Sequence, residues 1–500
     1  MSGLKSQHPE YDKYSGLWKK LRDFYEGPEK VKQQGVKYLP ATVGMELDGM
    51  EYNGVGYKAY QAYKQRARVP EYVQEAVEIL VGLMHQKAAI IELPPEMEYL
   101  REHASPAGEP LSAIHRRLNV EQVLVGRLGI LADFQTPLAG ETPKPYLAMY
   151  ECENIPNWDA TEYSDGRGVL NLVVLNESGY RRAEDGFTWQ QKEQYRVLVL
   201  GDLVSNEENA PYRCGVFSGD NLEFNPQSLV SLQIQGRELD TIPFVFINTK
   251  DLLPKPDIPP LASLLYDCIG IYQGEADYRQ NLFMQGQDTL VVKGGMNQTD
   301  GCNDGAIRVG AGSRIDVDEK GDAKYIGVSG SGLQEQRIAL DNDRKRAQIK
   351  AGRLVQAEGA QQESGVALST RFNAQTATLN QIATTGAAGL ERALRFIARW
   401  MGLDESKVKV TPNTEYVNFS LEGRNFVDLM TAKQMGLPIS LESLHAALAD
   451  RGMTVMDYIN ELAAIQKEQA SGLVPEVTGA PGAGPDGTAP GAPVINPAQE

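Results

Sequence analysis

The stretch that decides the fold is residues 261–287, which read LASLLYDCIGIYQGEADYRQNLFMQGQ. The segment lacks proline and its apolar side chains recur at helical spacing, so it predicts one amphipathic helix about 40 Å long. Its predicted buried face comprises Leu261, Leu264, Leu265, Cys268, Tyr272, Ala276 and Phe283. A second long helix is predicted from Leu333 to about Gln356.

A glycine-rich segment with short β-prone runs lies between these two helices. The runs are residues 289–293, 307–309, 315–317 and 325–328. Short strands that close on one another bring the ends of the flanking helices together. We therefore expect an antiparallel helical pair that carries a small β module at its tip.

The region upstream of this pair is predicted to be helical first and β-rich later. Residues 11–39 and 57–87 each predict a helix, the first interrupted at Gly27 and Pro28. An apolar run at residues 129–133 predicts a buried strand, and residues 145–250 alternate β-prone and turn-rich stretches, as in a mixed or antiparallel β unit. Prolines 254, 256, 259 and 260 end this unit.

One row of aromatic side chains within the second predicted helix has two possible interpretations, core packing or base stacking. Tyr57, Tyr60 and Tyr63 recur at near-helical spacing. Such a stripe usually packs into a core, so core packing is the expectation, and a base-stacking platform is the alternative.

Downstream of the pair, the polar loop 357–365 leads into a third long helix, residues 366–401. Two short strands and three helices, at about 424–435, 441–451 and 455–468, are predicted next. The last thirty residues contain six glycines and six prolines and hardly any large apolar side chain. We expect this tail, residues 471–500, to be flexible.

Size and charge exclude several classes of protein. At 500 residues and 54.9 kDa, the chain is expected to form two or more domains or one strongly elongated subunit. Its 49 basic and 66 acidic side chains give a net charge of −17, which argues against gripping duplex DNA but not against letting DNA pass. The four cysteines form no paired motif, and neither a signal segment nor a membrane span is predicted.

Sequence patterns typical of enzymes are missing. No phosphate-cradling G-x-x-x-x-G-K-[ST] loop and no G-x-S-x-G elbow occurs, and the five histidines form no ligand set. Asp341 and Asp343 are predicted to point to different faces of their helix, which makes them poor ligands for a two-metal cluster. We therefore expect no catalytic residue, no metal and no cofactor.

The second helix of the pair carries a local surplus of positive charge. Its cations outnumber its carboxylates by three; they are Arg337, Arg344, Lys345, Arg346, Lys350 and Arg353, against Glu335, Asp341 and Asp343. This surplus is either a solvated helix face or, in a ring of subunits, a set of positive bands that touch phosphate in passing. Loop 357–365, rich in Gln and Glu, suits a weak contact better than a clamp.

The order of these features resembles the portal proteins, or head-to-tail connectors, of tailed bacteriophages. The resemblance spans most of residues 11–470 and rests on a collinear set rather than on a single motif. The stretches that carry it are 14–40, 121–133, 154–158, 260–265, 272–278, 363–368 and 436–444.

The resemblance implies an α+β chain with an elongated portal fold. By position, it implies the following parts in chain order: an N-terminal wing (1–257), a first stem helix (258–287), a clip (288–332), a second stem helix (333–356), a tunnel loop (357–365), a long wing helix (366–401), a helical crown (402–470) and a tail (471–500). The clip would meet the packaging motor and later the tail adaptor.

The resemblance also implies a function without catalysis. The chain would be one subunit of a homo-oligomeric ring, usually a dodecamer, at one vertex of the capsid of a virion assembled in the host bacterial cytoplasm. Double-stranded DNA would pass through it, without sequence preference, during packaging and ejection. Its partners would be the terminase large subunit, the major capsid protein and a head–tail adaptor, with no membrane involved.

Candidate residues for the DNA channel come from the second stem helix and the tunnel loop. They are Arg337, Arg344, Arg346, Lys350, Arg353, Gln356, Glu358, Gln361, Gln362 and Glu363. Two alternatives remain: a cytosolic α+β enzyme whose site is assembled from scattered residues, and another virion structural protein, such as an adaptor or capsid protein.

Overall fold

The computed structural model describes residues 3–134, 144–162, 168–201, 211–219, 223–234, 236–285, 289–293, 322–326, 331–352, 365–414, 416, 431, 433, 435, 438–449, 454 and 456–470. The chain divides into two compact units, Met1–Tyr416 and Val417–Glu500. It combines helices with antiparallel sheets, so the predicted α+β class is confirmed.

The first unit begins with helices, as the sequence predicts. In chain order, the α-helices of this unit are α1 (Pro9–Glu26), α2 (Pro28–Gln33), α3 (Val43–Leu47), α4 (Val55–Arg66), α5 (Tyr72–Met84), α6 (Leu111–Leu124), α7 (Ala262–Gln285), α8 (Ser331–Gly352) and α9 (Gly365–Met401). Short 3-10 helices occur at Gly3–Lys5, Gly35–Lys37, Pro95–Arg101, Cys152–Asn154, Pro226–Ser228 and Glu405–Lys407.

Two breaks in the early helices have local causes. Gly27 separates α1 from α2 with a φ of 102°, which a glycine adopts readily, and this confirms the predicted interruption. The single helix predicted over 57–87 is wrong, because α4 and α5 are separate helices. Pro70 lies between them and has no backbone N–H to donate to a continuing helix. Tyr60 and Tyr63 of α4 are buried, which confirms that they pack into the core.

The strands form antiparallel sheets of different sizes. In chain order they are β1 (Ile90–Glu92), β2 (Arg127–Phe134), β3 (Pro145–Glu151), β4 (Asn157–Glu162), β5 (Gly168–Asn176), β6 (Gly179–Arg182), β7 (Trp189–Lys192), β8 (Gln194–Leu200), β9 (Tyr212–Ser218), β10 (Val230–Ser231), β11 (Phe244–Asn248), β12 (Thr289–Lys293), β13 (Asp322–Ile326) and β14 (Lys409–Thr411). The described strands pair as β11-β2-β3, β10-β9-β8-β5-β4, β6-β7, β12-β13 and β1-β14.

The three-stranded sheet lies in the core of the first unit. Every residue of its central strand β2 is buried, as predicted for the apolar run at 129–133, and Ile130 pairs with Val245 and Met149 on either side. Helix α9 packs on this sheet at Gly389, where a Cβ would collide with Ile247. The closely packed glycine lets the helix approach the strand.

A buried arginine joins this sheet to the segment that leads into α7. The guanidinium of Arg127 packs against the rings of Trp158 and Phe246, 4.4 and 4.2 Å from their centroids, and donates a hydrogen bond to the carbonyl of Pro254. Its exposed fraction is 0%. Burial lowers the pKa of Arg127. Three segments far apart in sequence thus share one contact.

The second unit contains α10 (Leu441–Ala449) and α11 (Tyr458–Ala470) among its described residues. The rings of His445 and Tyr458 lie 5.5 Å apart between centroids, so these two helices contact each other. Both correspond to predicted helices. The helix predicted at 424–435, the strand at 416–419 and the tail 471–500 lie wholly or largely outside the described residues. The predicted boundary at residue 402 precedes β14, which pairs with β1 inside the first unit.

Of the helices that the structure describes, none is both long enough and apolar enough to span a bilayer.

Candidate nucleic-acid interface on the helical pair

Helices α7 and α8, hereafter the helical pair, pack against each other in antiparallel orientation. Asn281 near the end of α7 donates a hydrogen bond of 3.1 Å to Gln336 near the start of α8. At the opposite end, the Lys350 ammonium lies 3.5 Å from the carbonyl of Ser263. Strands β12 and β13, which lie between the two helices in sequence, pair in antiparallel register from Thr289 with Ile326 to Lys293 with Asp322. The helix–β–helix order predicted from the sequence is therefore present; the predicted strands at 307–309 and 315–317 lie outside the described residues.

The first half of α7 is embedded in the N-terminal helices. Leu264, Leu265, Cys268 and Tyr272 are buried, as the apolar periodicity predicts. Phe283 is an exception, because 47% of it is exposed and the Arg66 guanidinium lies 4.1 Å from its ring centroid. The prediction that Phe283 lies on the buried face is wrong, since this part of α7 extends past the helices that cover its beginning.

Two polar contacts fix α7 against α4. The Tyr63 hydroxyl donates a hydrogen bond of 2.5 Å to Asp277, and Arg66 donates one of 2.5 Å to Gln280. Burial and the Asp277 carboxylate raise the pKa of Tyr63, so its phenol remains protonated at neutral pH. These contacts orient the outer half of α7.

A buried carboxylate on α7 forms ion pairs with two arginines. The Glu275 side chain is 2% exposed, and Arg279, one turn further along α7, donates a hydrogen bond of 2.7 Å to it. Arg344 of α8 forms an ion pair with the other carboxylate oxygen. Arg344 also contacts Asp341 at 3.0 Å. Because an unpaired buried carboxylate is strongly unfavourable, Arg344 contributes to holding the two helices together.

A second ion-pair cluster lies nearer the start of α7. Asp267 forms an ion pair with the Lys350 ammonium at 2.5 Å and lies 3.5 Å from Arg346. Arg346 also contacts Asp343 at 2.9 Å within α8. The acidic partners of both clusters, Glu275 and Asp267, were not predicted from the sequence. The available signal was that carboxylates occur within a helix whose first half is largely apolar.

The positive surplus of α8 is balanced by α7. Helix α8 carries five basic and three acidic side chains, and α7 carries one basic and three acidic ones. The surplus predicted from the second helix by itself is therefore absent from the pair as a whole, whose described charges cancel.

The candidate DNA-channel residues separate into three groups. Arg344, Arg346 and Lys350 have carboxylate partners on α7. Arg337 is exposed. Lys345, two helical turns further along α8, belongs to the predicted basic face and is also exposed. The remaining candidates lie outside the described residues; they are Arg353, Gln356, Glu358, Gln361, Gln362 and Glu363.

The helical pair also leaves large apolar side chains exposed along both helices. They are Tyr266, Leu282, Phe283 and Met284 on α7 and Ile338 and Ile349 on α8, with exposed fractions from 41 to 62%. Over the ranges that the structure describes, no group of three His, Cys, Asp or Glu side chains is placed to hold a metal ion.

Comparison with known proteins gives one family match and several structural similarities. Residues 260–401, which begin just before α7 and end with α9, match a domain of unknown function, DUF4055. The matched segment covers less than a third of the chain. A search of curated proteins finds no match.

The structural similarities are to chains of gene transfer agent (GTA) particles. A chain of the neck of a native GTA particle, computed with C12 symmetry, is 13% identical with a TM-score of 0.37, covering 75% of this chain and 89% of that one. A chain of the virion of a native GTA particle is 12% identical with a TM-score of 0.38, covering 78% and 92%. A chain of the neck of an empty GTA particle, computed with C6 symmetry, is 12% identical with a TM-score of 0.39, covering 76% and 90%. TM-scores below 0.5 do not establish a shared fold.

Proposed function

We propose that this chain is a non-enzymatic portal subunit. It forms a homo-oligomeric ring, a dodecamer, at one vertex of a phage-like capsid, and double-stranded DNA passes through the ring during packaging and ejection. The ring docks the terminase large subunit, the major capsid protein and a head–tail adaptor. We infer a location in the virion, the setting of the gene transfer agent chains described above.

The observation that carries this proposal is how little of α8 is buried within its own chain. A helix of 22 residues is about 33 Å long, yet Leu340 and Ala347 are the only buried side chains among those described on it. Most helices in folded proteins are stabilised by burying an apolar face. Ile338 and Ile349 remain exposed. Neighbouring copies of the pair, side by side in a ring, supply the missing contact.

The charge distribution supports passage of DNA rather than its retention. Affinity for duplex DNA rises with the number of phosphates that basic side chains neutralise at once. In the helical pair the described charges cancel, and the exposed cations that make no described ion pair with α7, Arg337 and Lys345, are separated by two helical turns. A channel lined in this way touches phosphates at few points, which permits sliding.

Measuring the mass of the purified full-length chain, together with electron-microscope images of particles viewed down their axis, tests this proposal. We expect rings. Replacing Ile338 and Ile349 with Glu lowers the ring fraction at least tenfold, because both side chains lie at the proposed contact between copies. Ile79→Glu is the matched control, since Ile79 is 44% exposed on α5, outside the pair.

Two results would overturn the portal proposal. One is a chain that stays monomeric at every salt concentration tested. The other is tight stoichiometric binding of a nucleotide or metal, which would favour the enzyme alternative.

A further inference from the structure

A cleft of about 470 Å³ lies between the first residues of β5 and helix α9. Three arginines line it, Arg392, Arg395 and Arg399. Side chains three, four and seven residues apart lie on the same face of a helix, so α9 directs all three toward one surface. No part of the portal proposal uses this cleft.

The three arginines differ in their partners. Arg395 pairs with Glu391 at 2.6 Å, and Arg399 pairs with Glu405 at 2.7 Å. No carboxylate of a described residue lies within ion-pair distance of Arg392. Among the lining residues that the structure describes, three arginines face two carboxylates, so this part of the cleft carries a net positive charge. Burial and the neighbouring Arg399 charge lower the pKa of Arg392.

Apart from the arginines, Thr241, Glu391 and Glu405, the lining residues are apolar or glycine. Val169 and Leu170 of β5, Ile242, Phe244 and Phe396 face the same cleft. A phosphate backbone has no apolar group to place against such a wall, and the Glu391 and Glu405 carboxylates would repel it. The lining fits an acidic side chain that is followed closely by an apolar one.

The hairpin β6–β7 carries such a pair of side chains. All residues of both strands except Gly179 are exposed, and a two-stranded hairpin without a partner is marginally stable in water. In the turn between the strands, Asp185 accepts hydrogen bonds of 2.9 Å from the backbone N–H groups of Phe187 and Thr188. This fixes the turn and leaves the Glu184 carboxylate and the Phe187 ring, which is 89% exposed, available to a partner.

The hairpin of one copy cannot fill the cleft of the same copy. The cleft lies at the Gly168 end of β5, whereas the hairpin follows its Asn176 end. Nine residues of strand separate these ends by about 26 Å at 3.3 Å per residue. A contact between the two surfaces must therefore join different copies, and a contact between two different surfaces of one chain generates rings when the rotation closes.

We propose that the Arg392 cleft of one copy receives the 184–187 turn of a second copy, with Glu184 pairing with Arg392 and Phe187 against the apolar wall. This inference rests on the ring proposed above. It defines one head-to-tail contact between neighbouring subunits of that ring.

Charge reversal in the full-length chain tests the contact. Glu184→Arg and Arg392→Glu each lower the ring fraction about tenfold or more, and the double variant restores it to within about threefold, because the pair is re-formed with opposite polarity. Glu102→Arg and Lys58→Glu, at exposed residues elsewhere, serve as controls. Single variants that assemble as well as the unmodified chain overturn this contact and leave the ring proposal standing.

A binding measurement separates the cleft from the ring. A cyclised, fluorescent peptide of residues 179–192 binds the Glu184→Arg chain, whose clefts are vacant, and does not bind the Arg392→Glu chain, whose clefts are also vacant but carry the reversed charge. If the unmodified chain proves monomeric, the ring proposal fails and this measurement alone decides the cleft. Equal binding to both variants, or no binding to either, overturns the inference.

Discussion

Replacing Arg344 with Gln should loosen the helical pair more than it alters any contact with DNA. The substitution leaves Glu275, 2% exposed, with Arg279 as its remaining partner. When a buried charge loses its only partner, the free energy of unfolding falls by about 3–5 kcal/mol. Because Arg279 stays and the Arg344 side chain is 36% exposed, we expect a loss of about 2 kcal/mol.

Amide hydrogen exchange of α8 measures this loss where it arises. A destabilisation of about 2 kcal/mol raises the opening equilibrium of α8 about thirtyfold. Lys345→Gln removes the same charge from the adjacent, exposed residue and should change exchange less than about threefold. Replacing both Arg344 and Glu275 with Leu should recover most of the protection, because an apolar pair removes the buried charge.

The reasoning is refuted if Arg344→Gln and Lys345→Gln change the exchange of α8 equally.

Lys345→Gln is also the variant to use when a DNA-packaging assay tests for a phosphate contact. Neutralising Arg344, Lys345 and Arg346 together would combine a lost inter-helix ion pair with any lost phosphate contact, whereas Lys345→Gln isolates the contact.

Two further perturbations test the packing of the first unit. Gly386→Ala places a Cβ 2.8 Å from Leu118 of α6 and should destabilise the chain by about 1–3 kcal/mol, whereas Gly82→Ala, with nothing within 4 Å, should stabilise it by about 0.5–1 kcal/mol; urea unfolding separates the two, and equal shifts would contradict the described approach of α6 to α9. Burial, together with the nearby His85, lowers the pKa of His115 from 6.5 to about 4, so the unfolded chain binds more protons in this window. The contribution of His115 to the free energy of unfolding should be fully present above pH 6.5 and fall by about 3 kcal/mol toward pH 4. His115→Phe should flatten this fall, and His103→Asn should not. Unchanged pH dependence in His115→Phe would refute the assignment.

The sequence predicted the elements whose signals are local. The proline-free apolar periodicity of α7 predicts a helix from neighbouring residues alone. The short apolar run of β2 predicts a buried strand in the same way. The break at Gly27 was equally visible, because the glycine is followed by a proline. The break at Pro70 was missed because the prediction joined the apolar rows on either side of it into one helix, although a proline lies between them.

The charges of the candidate site required knowledge of tertiary contacts. From α8 alone, Arg344, Arg346 and Lys350 read as an unbalanced basic face. Their partners Asp267 and Glu275 lie 69 to 83 residues earlier in the chain and come within reach only when the two helices pack in antiparallel register. Periodicity places a side chain on a face, but it does not say which charge lies opposite.

The contact between Arg127 and Pro254 has a mechanical consequence. A push or pull arriving along α7 reaches the proline-containing segment that precedes it, and this segment is tethered to the β-rich core through the carbonyl of Pro254. The rings of Trp158 and Phe246 pack against the tethering guanidinium on two adjacent sides. A force applied at the far end of the helix would thus reach the sheet through this contact instead of being lost at a loose joint.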